Sequence, residues 1–140
     1  MKKAFYGSRD HARVPMQWSH GENAGFSSAE PWIKVNPNFR KINVEDEEKD
    51  ENSVLNHYRR LIALRKQNKA LIYGSFEQIK TSADYFAYYR RKGGQKFMIV
   101  INLTDKTKDF PFAVDAKLIC SNYVTYANHL RPYEADIFEL

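Results

Sequence analysis

The sequence predicts a mainly β fold: an antiparallel β-sandwich of Greek-key type in its second half, preceded by a long loop and one helix. Three observations carry this reading. From residue 71 onward, apolar and polar residues alternate with a period of two in short runs separated by turn residues, as in half-buried strands. Only the segment 53–68 repeats its apolar residues at helical spacing. Before it, residues 8–43 show no sustained apolar period.

Residues 1–7 read either as a weak strand or as an unrelated lead. The loop then runs Ser8-Arg9-Asp10-His11-Ala12-Arg13-Val14-Pro15-Met16-Gln17-Trp18, followed by Ala24-Gly25-Phe26 and by Pro31-Trp32-Ile33-Lys34-Val35-Asn36-Pro37-Asn38. Proline fixes φ and glycine frees it, so these residues impose one shape on the loop. Loops of this length are usually functional or disordered, and the two tryptophans argue against disorder. Next comes the acidic run 45–51, read as solvated surface whose negative charge favours the positive end of the following helix dipole.

Ser53 is placed to cap that helix, because its hydroxyl can accept from an amide two or three residues on. Leu55, Tyr58, Leu61, Ile62 and Arg65 make one stripe, with Arg59, Arg60 and Lys66 away from it or late in the helix. The strands follow at 71–79, 85–91, 96–102, 109–114, 117–121 and 133–140. Gly93-Gly94 is a two-residue hairpin signal, and residues 102–106 and Asn128 supply turn chemistry. In 85–89, alternation puts Tyr85, Ala87 and Tyr89 on one face and Phe86 and Tyr88 on the other. A sandwich strand with one face in the core explains the cluster better than a sugar-binding surface does. The unit boundary falls near residue 70.

Composition narrows the function classes. A hydrophobic share of 43% and a charged share of 28% are those of a globular protein. No apolar run approaches the ~20 residues that span a bilayer, so no membrane partner is expected. Met1-Lys2-Lys3 leads into no hydrophobic segment of the kind a signal peptide has. The net charge of +5 invites a nucleic-acid reading, but the charges are scattered and no matching motif accompanies them, so no nucleic-acid partner is expected. The single cysteine, Cys120, lies in an apolar run and reads as a buried, inert thiol in a reducing compartment. His11 and His57 have no metal-ligand partner at a sensible spacing, while His20 and His129 read as turn residues.

The run SRDHARVPMQW, then AGF, PWIKVNPN, the Ile42-Asn43-Val44 segment, SVLNHYRRLIALRK and the closing LRPYEADIFEL together resemble the α-glucosidase branch of glycoside hydrolase family 13. That branch includes oligo-1,6-glucosidases, dextran glucosidases, trehalose-6-phosphate hydrolases and sucrose isomerases. The resemblance covers almost the whole chain, which looks like the C-terminal part of such an enzyme. It implies that residues 1–70 are the end of a catalytic (β/α)8 barrel, with loop 8–43 and helix 53–68, and that 71–140 are the all-β domain that follows it. In such a barrel the loops at the strand C-termini build the active site. Val14 departs from the threonine usual in relatives.

The resemblance also fixes what the chain lacks. Glycoside hydrolysis needs two carboxyl groups flanking the bond, and the relatives carry their aspartate nucleophile and glutamate acid upstream of SRDHAR. No catalytic residue is therefore expected in this chain, and it should be inactive alone. The reading calls for no cofactor and no metal, since the calcium ligands of some relatives also lie upstream. What the motif can supply is recognition of an oligosaccharide or disaccharide substrate. In relatives an arginine of this loop binds the sugar at the non-reducing end, which by motif position is Arg13. A planar guanidinium suits bidentate bonds to a carboxylate and to sugar hydroxyls, or else staples the loop through its carbonyls. Arg9 is a second candidate, unless it pairs locally with Asp10. Gln17 bonds either a sugar or the loop backbone. Trp18 and Trp32 either stack on pyranose faces or pack under the loop.

Without the rest of a barrel, the stripe Leu55, Tyr58, Leu61 and Ile62 must pack on the β part, pair with a second copy or stay exposed. Self-association or a mobile N-terminal half is the expected result. The expected location is cytoplasmic. The alternative is a non-catalytic β-sandwich module with a structural or carbohydrate-binding role.

Overall fold

The structure is a computed structural model. It describes residues 12–79, 83–109, 116–125 and 127–140. The chain divides into two compact units, Met1–His57 and Tyr58–Leu140.

The first unit holds its loop with polar side chains. The loop turns through a 3-10 segment, Glu22–Gly25, in which Asn23, Ala24 and Gly25 all have positive φ. Gly25 is required there by space as well as by φ, since a Cβ would come within 2.6 Å of the Ser19 hydroxyl. Ala24 accepts a left-handed φ of 59° while fully buried, a strain of about 1–2 kcal/mol. Its carbonyl is held by the amides of Trp18 and Ser19 at 2.8 and 3.0 Å. The Asn23 amide then donates to the Ser27 and Ala29 carbonyls at 3.0 and 3.1 Å. A second 3-10 turn, Pro37–Arg40, begins with Asn36 accepting from the Asn38 amide.

The acidic run is at the surface, with no buried residue, and Val44–Lys49 forms helix α1 there. Asn43, 2% exposed, caps it, accepting from the Asp46 amide and donating to the Asp46 carboxylate and the Phe39 carbonyl. Those side-chain bonds offset the weak propensity of a six-residue helix to form. The expected helix follows as α2, Val54–Gln67. Ser53 accepts from the Asn56 amide at 3.2 Å, the geometry of an N-cap. Glu47 adds a carboxylate that accepts from the Leu55 amide at 3.0 Å. The negative charge ahead of α2 thus acts through a direct bond as well as through the dipole.

The second unit is a strand-rich antiparallel structure. Its strands are β1 Ser75–Gln78, β2 Tyr85–Lys92, β3 Gln95–Asn102, β4 Lys108–Asp109, β5 Lys117–Ser121, β6 His129–Leu130 and β7 Ala135–Glu139. Among the described residues, five of them form a sheet of order β1-β2-β3-β7-β5, and β4 and β6 form a two-stranded ribbon. Gly93 and Gly94, at φ 56° and 84°, make the two-residue turn between β2 and β3. The central strand β3 is buried on both faces. Met98 and Val100 join Ala87, Leu130 and Phe138 on one side. Phe97 and Ile99 join Ala70 on the other.

Several expectations are corrected here. Residues 71–73 belong to helix α3, Lys69–Tyr73, and the strand begins at Ser75. An apolar run this short carries no usable period, and the helix is held by groups distant in sequence. Gln95 accepts from the Ala70 amide at 3.1 Å, and the Arg90 guanidinium donates to the Ala70 and Ile72 carbonyls. Gly74 closes the helix where a Cβ would meet the Ala70 carbonyl oxygen at 2.2 Å. The strand expected at 109–114 falls mostly outside the described residues, and β4 ends at Asp109. His129 sits in β6 rather than in a turn. Because α3 covers one sheet face and Leu130 the other, the aromatics of β2 pack on both sides. Tyr85 and Tyr89 lie against the first cluster and Tyr88 against the second. Cys120 is half-buried, and burial pushes its thiol pKa up.

The C-terminal motif supplies the polar framework. Asn102 donates to the Lys106 and Arg131 carbonyls at 2.8 and 2.7 Å. Arg131 lies 3.9 Å from the Tyr123 ring centre and bonds Glu134, whose side chain is 2% exposed. Asp136 is 3% exposed, and among the described residues its Oδ1 has no hydrogen-bond partner. Burial, with the Glu134 charge adding to it, drives its pKa up against opposing effects from Ser121 and Arg131.

Candidate functional site

The loop of the first unit folds around a cavity of about 330 Å³ lined by Arg13, Phe26, Glu30 and Trp32, with prolines 15 and 31 in its wall. Local backbone features place several of the lining residues. Pro15 is buried and anchors the segment that carries Arg13. The left-handed run at residues 23–25 turns the chain so that Phe26 follows directly, and the Asn23 bonds hold the 27–29 bend that delivers Glu30. Pro31 precedes Trp32, which is 85% exposed.

The expected residues part company here. Arg13 lines the cavity, whereas Gln17 and Trp18 are not among its walls. Gln17 donates through Nε2 to the Ile42 carbonyl, tying the loop to the approach of α1. Trp18 is half-exposed. Arg9 lies outside the described residues. Neither tryptophan is buried beneath the loop. Glu30 and Phe26 were not foreseen as site residues. The signal available for Glu30 was its place directly before Pro31-Trp32; for Phe26 it was the preceding glycine, which marks a forced turn.

This cavity brings charged and aromatic side chains together. It offers a cation, a carboxylate and aromatic faces, a set suited to hydroxyl groups and to the apolar face of a ring. Elsewhere in the unit, His20 Nε2 lies 2.7 Å from the Asp46 carboxylate, whose pKa is held below its usual value. The Asn43 amide is the main cause, burial opposes it, and His20 adds to it. That pair stiffens the start of α1. Among the described residues no group of three or more His, Cys, Asp or Glu side chains could hold a metal ion. No helix among them is long and apolar enough to cross a membrane.

Comparisons with known proteins identify the family. The family described as alpha amylase, catalytic domain, matches residues 1–74. The oligo-1,6-glucosidase of Parageobacillus thermoglucosidasius is 40% identical over an alignment covering all of this chain and 27% of that protein. The trehalose-6-phosphate hydrolase of Escherichia coli is 38% identical over 91% of this chain and 25% of its own length. Among solved structures, the trehalose-6-phosphate hydrolase of Bacillus licheniformis superposes with a TM-score of 0.85 at 30% identity, covering 94% of this chain and 26% of that one. Isomaltulose synthase from Klebsiella sp. LX3 gives the same TM-score at 32% identity, with the same coverages. The chain spans about a quarter of the length of the relatives it matches. It belongs to the α-amylase family, glycoside hydrolase family 13, on the α-glucosidase side of that family.

Proposed function

We propose that the chain is the C-terminal part of an α-glucosidase that releases α-linked glucose from short oligosaccharides or a related disaccharide by a retaining mechanism. Residues 1–70 are the end of its catalytic barrel and 71–140 its all-β domain. The observation that carries this reading is the position of Arg13 on a cavity shared with Glu30 and Trp32. Arg13 bonds the hydroxyls of the terminal glucose, and the exposed indole of Trp32 meets a ring face. Gln17 serves the loop, in keeping with its bond to Ile42. The nucleophile and the acid come from the part of the enzyme this chain does not span, so the chain alone turns over nothing. Tyr58 and Ile62, 61% and 51% exposed, give the isolated chain a surface for self-association. The lone cysteine fits a cytoplasmic setting.

The test is glucose release from isomaltose, maltose, trehalose-6-phosphate and sucrose. The 140-residue chain should release none. In a family enzyme carrying this segment, Arg13→Gln should lower kcat/KM by about tenfold or more, the cost of a lost charged hydrogen bond. Release by the chain alone, abolished by replacing one of its own carboxylates, would overturn the reading.

One observation favours the alternative of a carbohydrate-binding module. Phe76, Phe86 and Tyr88 form a connected ring cluster, with centroids 5.0–6.3 Å apart, and Phe76 is 54% exposed. Retention of the isolated second unit on immobilised glucan, lost in Phe76→Ala, would support it.

A further inference from the structure

The second unit holds an open cavity of about 300 Å³ beside the cluster of Ala70, Phe97 and Ile99. Tyr88, Ile99 and Ile137 are register partners across β2, β3 and β7, so one row of the sheet supplies part of its wall. Helix α2 supplies Leu61, Leu64 and Arg65, which share one helix face at positions i, i+3 and i+4. Leu71 of α3 completes the aliphatic lining. Every one of these residues lies within the unit Tyr58–Leu140. Aliphatic walls with a few polar groups around such a space are the form of a small-molecule site, whose volumes run upward from about 300 Å³.

The polar groups are two guanidiniums. Arg65 donates to the Leu71 carbonyl, and Arg90 donates to the Ala70 and Ile72 carbonyls at 3.3 and 3.4 Å. A guanidinium carries more N–H donors than these bonds use. Among the described residues neither arginine is paired with a carboxylate. The carbonyls of α3 therefore orient both side chains without neutralising them. Their planar donors suit a carboxylate.

We propose that this cavity binds a single-chain amphiphile with a carboxylate head. The chain lies against Leu61, Leu64, Ile99 and Ile137, and the head lies on Arg65 and Arg90. A sugar fits the walls poorly, because its hydroxyls would face aliphatic side chains without partners. An uncharged apolar chain leaves the two cations unanswered. The site shares no residue with the Arg13 cavity and goes beyond glucoside recognition.

The probe is decanoate, titrated below its micellar concentration into the 140-residue chain carrying labelled leucine and isoleucine methyls. Saturable shifts should appear at Leu61, Leu64, Ile99 and Ile137. Decanol should bind about tenfold more weakly, since it lacks the charged hydrogen bonds. Leu64→Trp, which fills the cavity, should remove binding. Arg65→Gln should weaken decanoate by about tenfold and leave decanol unchanged, a split that a merely structural role would not produce. Amide spectra check that both variants keep their fold; if either does not, the decanoate-to-decanol ratio of the unaltered chain decides. Equal affinity for decanoate, decanol and decyltrimethylammonium would overturn the proposal. So would shifts confined to Ile62 on the exposed helix stripe, or no saturable shift at all. Loss of decanoate binding as the chain is concentrated would give the cavity to a second copy and overturn it too. Glucose release bears on the functional reading alone, so the two fail separately.

Discussion

Residues 12–57 and 58–140 reach ordered structure by opposite means. The second unit buries Phe97, Met98, Val100, Leu130 and Phe138 around one central strand. The first has no such cluster among its described residues and relies on side chains that satisfy backbone groups: Asn23, Asn36, Asn43, Glu47 and Ser53. Apolar burial is nondirectional and cooperative, whereas each cap contributes only about 1 kcal/mol and acts locally. The difference teaches that a loop without a hydrophobic cluster of its own can still be shaped around a cavity by side chains that satisfy its backbone.

The largest effect should come from the second unit. Phe97→Ala should cost about 3–5 kcal/mol in urea unfolding. Trp32→Ala, at a site 85% exposed, should cost less than about 0.5 kcal/mol in the same experiment. Equal costs would break the comparison. Next, Glu134→Ala leaves Arg131 without its carboxylate, and breaking a buried pair of this kind costs about 3 kcal/mol. Its effect should appear in the exchange protection of β3 and β7 amides.

A smaller, local change is expected in the first unit. Ser53→Ala should cost about 1 kcal/mol and speed hydrogen exchange at the start of α2, with β3 amides unaffected. Global loss of protection would mean that the units unfold together.

The pH dependence sharpens the contrast further. Asp136 has its folded pKa raised, so the folded state favours the protonated form. Its stabilising contribution is complete below the unfolded pKa and is lost as pH rises through the folded one. Asp136→Asn should flatten that loss in thermal melts. Asp46 has its pKa lowered, so its contribution is present above the unfolded pKa and fades as pH falls through the folded value. Acid should therefore loosen α1 in the first unit while relieving Asp136 in the second. Parallel acid responses of both units would contradict these assignments.

Much of this was legible in the residues because it depends on local chemistry. The Gly93-Gly94 turn needs positive φ at both positions, which glycine accepts freely. The Ser53 cap and the helical stripe after it are short-range patterns, and so is the alternation in β2 and β3. The family resemblance came from ordered motifs and singled out Arg13, which lines the cavity.

Tertiary structure decided the rest, since the deciding groups are distant in sequence. Leu71–Tyr73 is helical because Gln95 and Arg90 hold α3 from the sheet, and no reading of five residues contains those partners. The acidic run becomes α1 through a cap from Asn43 and packing bonds to Phe39. Glu30 joins Arg13 because Asn23, several residues earlier, bends the backbone between them. The sequence by itself determined the strand-rich class, the hairpin, the main helix and the family, all of which are set by periodicity and single-residue backbone limits. Only the tertiary structure decided which side chains cap which helix, that β3 is covered on both faces and that the loop lines an open cavity. Those outcomes depend on hydrogen bonds and contacts between segments that the one-dimensional pattern does not pair.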